Sequence, residues 1–231
     1  MTPPGKDSGQ APGQDVQADT QHQFDDLNWL NESTRKLLAL RQVDEILDFA
    51  GLSLQKKLGD CVIVTFSRVP GSKLQAEGVY GLDESILSRV SELLGFEVSR
   101  KTFAIEDRLQ EIYDRRKLHR FPGGLETFTE GYLPSGVSKA VAALLDVEDV
   151  YTIGLAGEER VVGNLHIFTR RKNLIRRPEL VESFVYQTAL ALERAMAIKD
   201  LSQSEEFHRE IFRSTTDALI IADLQGKIVR C

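Results

Sequence analysis

Cysteine is almost missing from this chain. Cys61 and Cys231 are the only two among 231 residues and lie far apart, which excludes a disulfide framework and reads as reduced thiols of a cytosolic protein. Long apolar runs are missing too. No stretch approaches the ~18 apolar residues of a membrane-spanning helix, and the N-terminus lacks the basic and apolar regions of a signal peptide, so a cytoplasmic protein without membrane contact is expected. Histidine is scarce at four residues, none within metal-ligand spacing of another or of a cysteine, which argues against structural zinc. A basic excess is absent as well: 29 Lys and Arg stand against 35 Asp and Glu, whereas nucleic acid is bound mainly through clustered cations. "PGG" has no Gly-Lys-Ser/Thr ending, so it is a turn rather than a phosphate loop. No nucleophile, base and orienting group come together, and an enzyme is not expected.

What is present suffices for one globular domain with extra segments, at 42% hydrophobic and 28% charged residues. Residues 1–22, rich in Pro, Gly, Gln and Asp, have little to bury and are expected to form a disordered leader. From Phe24 onward, apolar residues at helical spacing predict two successive helices that break near Arg41 and end at Gly59. "CVIVTF", the turn "PGS" and "KLQAEGVYG" predict a strand, a turn and a strand. "DESILSRVSELLG" has the acidic start and glycine stop of a helix. "FEVSRKTFAI" reads as extended, residues 106–118 as a helix, "HRFPGG" as a break, and 135–145 as a further helix. "DVYTIGLAGEERVVGNLHIF" predicts two strands around a Gly-Glu-Glu turn. A long helix then starts near Pro178, suited to a first turn, with Leu180, Phe184, Thr188, Ala191, Ala195, Ile198 and Leu201 along its apolar face. The sum is an α+β fold, one antiparallel sheet flanked by helices with long helices at both ends. On the second strand of the late hairpin, alternation puts Val161, Leu165 and Ile167 on one face and Val162, Asn164, His166 and Phe168 on the other.

These residues resemble a known family. "VVGNLHIF", with its Gly-x-Leu-x-Ile pattern, and "ELVESFVYQTALALERA", with Gln187, Ala189, Leu192 and Glu193, are similar to the closing strand and terminal helix of GAF domains. "LNWLNESTRKLLALRQVDEILDFAGLSLQKKLGDCVIVTF", "PGGLETFTEGYLPSGVSKAV" and "YTIGLAGEERVVG" resemble the GAF domains of archaeal, methanogen-type sensor histidine kinases. The likeness covers about three quarters of the chain. It is a distributed pattern, informative about fold more than ligand. "SEEFHREIFRSTTDALIIADLQGKIVRC" resembles the first helix and strand of a PAS domain, with Phe212 and Gly226 in place. The resulting division is a leader at 1–22, a GAF domain with flanking helices at 23–201, and a linker helix with the truncated start of a PAS domain at 202–231.

The resemblance implies a non-catalytic sensory input module of a signal-transduction protein, with downstream PAS and histidine kinase domains in the parent chain. It would bind a small molecule or cofactor and relay through a dimerising helical connector. A ligand-free structural dimerisation module is the alternative. His166, polar in a core strand on the face that lines the ligand cavity of GAF folds, is the first ligand-binding candidate, with a hydrogen-bonded core histidine as the plainer reading. His119 sits in a loop able to close over a pocket. Cys61 opens the first strand and is either a small buried residue or a redox or haem-attachment site. Phe103, Phe128, Tyr132 and Tyr151 are candidate cavity walls. Haem is a candidate cofactor, although the Cys-x-x-Cys-His attachment motif is absent. The Asn-Lys-Phe-Asp-Glu set of cyclic-nucleotide GAF domains and the cysteine of bilin-binding ones have no recognisable place here. His208 lacks the acidic neighbour of a phosphoacceptor histidine, being followed by Arg209. The basic segments 115–117 and 170–177, able to bind phosphates, keep a nucleic-acid or regulator-interacting role open beside a solvated-loop reading. Beyond Ala195 the long helix has no strand left beside it, which favours homodimerisation through the terminal helices.

Overall fold

The structure, a computed structural model, describes residues 12–158, 160–170, 174–214, 221–222 and 228–230, with side chains described between 20 and 211. Two long helices open the chain, α1 (Pro12–Ala39) and α2 (Val43–Leu58). Helical spacing aligns Ile46, Leu47, Ala50 and Leu54 on one face of α2, and all four are completely buried. Strands β1 (Cys61–Val69) and β2 (Lys73–Tyr80) follow, then α3 (Glu84–Leu94). The Asp83 carboxylate accepts the Ile86 N–H at 2.8 Å, and Gly95 closes the helix in the left-handed region, so α3 carries both of its sequence signals. Next come β3 (Thr102–Ala104), α4 (Asp107–Asp114), β4 (His119–Phe121), α5 (Gly124–Phe128) and α6 (Ser135–Leu145). The chain continues through β5 (Val147–Ala156), β6 (Val161–Arg170) and α7 (Pro178–Ser214).

The six strands form one antiparallel sheet in the order β3-β2-β1-β6-β5-β4. Its middle strands, β1 and β6, are buried on both sides, so β1 begins as a nearly continuous apolar run and β6 buries Asn164, His166 and Thr169 among its apolar residues. One face packs against α1, α2 and α7 through Ile63, Ile153, Leu155, Leu165 and Ile167. The other lies beneath the shorter helices α3 to α6 and presents Val64, Phe66, Leu74, Phe121 and Val150. The expected α+β fold is the observed one.

Several local expectations are corrected. The backbone is helical from Pro12, so the predicted leader is wrong over 12–22: after Gly13 that stretch holds no helix breaker. Residues 1–11 lie outside the described residues. "HRFPGG" holds the edge strand β4 and leads into α5 rather than simply breaking the chain. The helix expected at 106–118 stops at Asp114, and Arg116 takes a positive φ of 55°. Only 102–104 of the "FEVSRKTFAI" segment is strand. On β6 the assignments of Val161 and Val162 are exchanged. Leu155 pairs with Gly163 but Ala156 with Val161, a bulge that leaves Val162 as the extra residue. Val162 therefore joins Leu165 and Ile167 against the long helices, and Val161 joins the opposite core.

Helix α7 crosses residue 201 without a break, so no element boundary marks the expected division between 201 and 202. Strands β7 (Ile221–Ala222) and β8 (Ile228–Arg230) pair antiparallel in a separate small sheet. The rest of the segment resembling a PAS start, 215–220, 223–227 and 231, lies outside the described residues. Among those described, no helix is long and apolar enough to cross a membrane.

Candidate functional site

Short helices cover a sheet less completely than long ones, and between the sheet and α3 to α6 there is a cavity of about 340 Å³, within the range of small-molecule sites. Strands β1 and β6 form its floor with Val64, Phe66, His166 and Phe168, α5 and α6 contribute Phe128 and Val141, and the segment 96–104 covers it with Phe96, Val98, Lys101 and Phe103. Helix α4 approaches the sheet closely because residue 154 is glycine: a Cβ there would stand 2.4 Å from the Tyr113 carbonyl oxygen. That approach brings the Tyr113 ring to the wall. Burial raises the Tyr113 hydroxyl pKa, while the adjacent Thr152 and Asn164 side chains oppose the rise.

His166 stands in the middle of this floor, 5% exposed. The rings of Phe128, Phe66, Phe168 and Tyr113 surround it at centroid distances of 4.6, 4.9, 6.4 and 6.4 Å. The Asn164 Nδ2 amide donates to its Nε2 at 3.0 Å, which places the ring proton on Nδ1. Among the described residues, neither His166 Nδ1 nor Asn164 Oδ1 has a hydrogen-bond partner. Burial drives the imidazole pKa down to about 3, because a charged ring here would lose its hydration without a counter-charge. His166 is thus a neutral donor with an empty hydrogen-bonding position, which is costly in an apolar interior.

The Thr129 and Tyr132 hydroxyls of the wall are engaged, whereas Lys101 is not. Thr129 Oγ1 donates to Leu125 O at 2.7 Å and bonds Ser138 Oγ at 2.6 Å. The Tyr132 hydroxyl donates to Ala104 O at 3.1 Å, tying the loop before α6 to the cover. Lys101 is exposed, its Nζ lies 4.9 Å from the Phe96 ring centroid, and no carboxylate is among the lining residues.

Four of the seven residues singled out by sequence meet at this cavity: His166, Phe103, Phe128 and Tyr132. Three lie elsewhere. Tyr151 and Cys61 face the long helices, and burial pushes the Cys61 thiol up to about 12, so it stays protonated at neutral pH. His119 pairs with Thr152 on the edge strand and packs edge-on to Phe121 at 4.8 Å. Its pKa is lowered by burial and by Arg115 and Arg108. Phe66, Tyr113 and Lys101 were missed. In "SRKTFAI" the only trace of Lys101 is its alternation with Phe103 and Ile105, too short to single it out.

On the opposite face, α7 is fastened to the rest of the domain by polar contacts. Glu182 accepts the Leu118 N–H at 3.0 Å and pairs with Lys117 at 2.7 Å. The Glu193 carboxylate accepts the N–H groups of Glu158 and Arg160 at 3.0 and 3.2 Å, holding the β5–β6 hairpin. Arg194 donates to the Leu37, Leu38 and Leu40 carbonyls at the end of α1, and Thr34 bonds Gln187. Several described cations of the basic segments have intramolecular partners as well. Arg116 donates to Glu158 O at 3.3 Å, Arg170 pairs with Asp60 and Arg177 with Asp26, both at 2.5 Å. Among the described residues no three His, Cys, Asp or Glu side chains gather as a metal site.

The architecture is that of GAF domains. The GAF domain/HD domain protein from Geobacter sulfurreducens superposes with a TM-score of 0.50 at 17% identity, over 70% of this chain and 98% of that one. The GAF domain of an Acinetobacter phosphoenolpyruvate-protein phosphotransferase gives 0.52 at 9% identity, over 76% and 97%. A bacteriophytochrome from the photosynthetic bacterium R. palustris gives 0.54 at 10%, over 79% of this chain and 40% of its own. At such identities the likeness establishes the fold. No family model matches the sequence, and no curated protein does.

Proposed function

We propose that this chain is a cytoplasmic, non-catalytic sensory input module that takes a small molecule into the cavity under α3 to α6 and passes its occupancy to α7. One observation carries the reading: an apolar cavity floored by a buried histidine whose Nδ1 has no partner, a hydrogen bond left for a ligand to complete. The segment 115–118 runs from α4, on the cavity side, around the sheet edge to Glu182 on α7. Occupancy that shifts α4 changes the seating of α7, a population shift between two helix arrangements. Downstream of α7 the receiver is a PAS domain and a histidine kinase of the archaeal type, as the sequence resemblance implies.

Haem does not fit this wall. The Asn164 amide donates to Nε2 and so keeps the ring proton on Nδ1, the nitrogen left free, which then has no lone pair to offer iron, and Lys101 is the single cation among the lining residues for two propionates. A thiol-linked chromophore finds no cysteine among the lining residues, since Cys61 faces the long helices. Exposed Ile198, Leu201, Phe207 and Ile211 on α7, with Phe24, Leu27 and Leu38 on α1, favour a homodimer through the terminal helices. They also sustain a second reading, a dimerisation module with no ligand. A thermal-shift screen of metabolites on wild type and Val141→Trp, which fills the cavity, separates the two. Stabilisation of the wild type alone supports the sensor; none, or the same shift in both proteins, leaves the dimerisation module.

A further inference from the structure

We infer that the ligand is an apolar organic monoanion whose charge sits at Lys101 and whose buried end offers a hydrogen-bond acceptor to His166 Nδ1. The inference rests on the cavity being a binding site and adds the class of molecule. Two polar groups of the wall bear on the ligand's chemistry. Thr129 and Tyr132 have their own partners, whereas His166 Nδ1 has none and Lys101 faces no carboxylate on the wall.

Charge selects next. No Asp or Glu lines the cavity, so a ligand cation would be desolvated without compensation, and a neutral ligand would forgo the ammonium. A dianion would leave one charge uncompensated in apolar surroundings. A single carboxylate at the Lys101 ammonium gains a charge-assisted hydrogen bond at the cover, where solvent is close. The interior end must be mainly apolar, because the Phe66 and Phe128 rings nearest His166 offer nothing to bond, while the His166 donor itself needs an acceptor. Phe96 keeps the ammonium over the cover by holding Nζ against its ring.

Isothermal titration with two acids and their primary amides tests this: 3-phenylpropanoate and 3-(4-acetylphenyl)propanoate, each against its amide. Each acid should bind about tenfold or more tightly than its amide. Lys101→Gln, an exposed change that leaves the core alone, should erase that preference. The acetyl acid should exceed the plain acid in wild type and lose its lead in His166→Phe; should that variant not fold, the Lys101 arm still decides. Amides binding as well as acids, or a preference indifferent to Lys101, would falsify the monoanion class. The sensor reading would survive that result if Val141→Trp abolished the binding. Absence of binding by all four compounds overturns the class, and the sensor reading stands or falls separately on the metabolite screen.

Discussion

The two faces of the sheet are covered by the same chain in different ways. Against α1, α2 and α7, Ile63, Leu155, Leu165, Ile167 and Phe184 are almost wholly inaccessible. Against α3 to α6 the core is thinner: the helices run 5 to 11 residues, and a cavity of about 340 Å³ remains. A long helix lays many turns on a sheet and excludes water along its length. Several short ones meet at angles and leave a volume between them. The first face holds the domain together; the second forgoes part of its packing and gains room for a guest.

Truncation breaks or supports that contrast most directly. Leu165→Ala, at the centre of the packed face, should cost about 3–4 kcal/mol, the range for a buried leucine whose site cannot collapse. Leu125→Ala, on the cavity wall, should cost about half as much, since part of its surroundings is already empty. Urea midpoints at constant m-value measure both. Equal losses would mean that the cavity face is packed as tightly as the other.

Acid comes next. The folded-state pKa of His166 is lowered to about 3, against about 6.5 in an unfolded chain. Above that value the ring is neutral in both states and pH has no leverage. Below it the unfolded chain binds a proton that the folded one refuses, so stability falls as pH drops from about 6.5 toward 3. By pH 4 the loss is on the order of 3 kcal/mol. His166→Gln should flatten this part of the stability profile. His119, also lowered but less buried, contributes in the same direction, and a slope unchanged in the His166 variant would assign the acid sensitivity to other groups.

The packed face depends on one missing methyl. Alanine for glycine inside a helix ordinarily stabilises by nearly 1 kcal/mol, but a Cβ on Gly51 of α2 would lie 2.1 Å from the Tyr80 ring. The ring would have to leave, and with it the 2.6 Å bond from the Tyr80 hydroxyl to Asp48. Gly51→Ala should therefore destabilise by about 2 kcal/mol, read as a fall in Tm. A rise in Tm would show that Tyr80 has somewhere else to go.

The packed face was also the legible one. Helical and alternating periodicities mark α2, β1, β6 and α7 clearly, because aliphatic residues buried along a whole element repeat at its period. On the cavity face the elements are too short to show a period. β4 hid inside "HRFPGG", α5 spans 5 residues, and the bulge that exchanged Val161 and Val162 leaves no compositional trace. His166 was within reach because the strand alternation and the GAF resemblance put it on that face, and Phe103, Phe128 and Tyr132 only as aromatic residues able to wall a cavity. Tyr151 and Cys61 were not separable from them, since which face a strand residue takes depends on register. Lys101 and Tyr113 enter the wall through tertiary approach, one by the cover and one by Gly154, and neither leaves a local signal strong enough to stand alone.

The smallest expected effect concerns the link between the faces. Glu182 accepts the Leu118 N–H and holds Lys117. The lysine end is largely exposed, so the ion pair itself adds little, and the backbone bond carries the connection. Glu182→Ala removes the acceptor and should cost about 1 kcal/mol, while Glu182→Gln, which keeps an oxygen in place, should cost a fraction of that. The Leu118 amide should exchange with solvent markedly faster in the alanine variant and near the wild-type rate in the glutamine one. If both variants exchange alike, the sheet edge is held by β4 pairing alone. The path from the cavity to α7 would then have to run through the strands, and the two faces would be coupled by the sheet rather than around it.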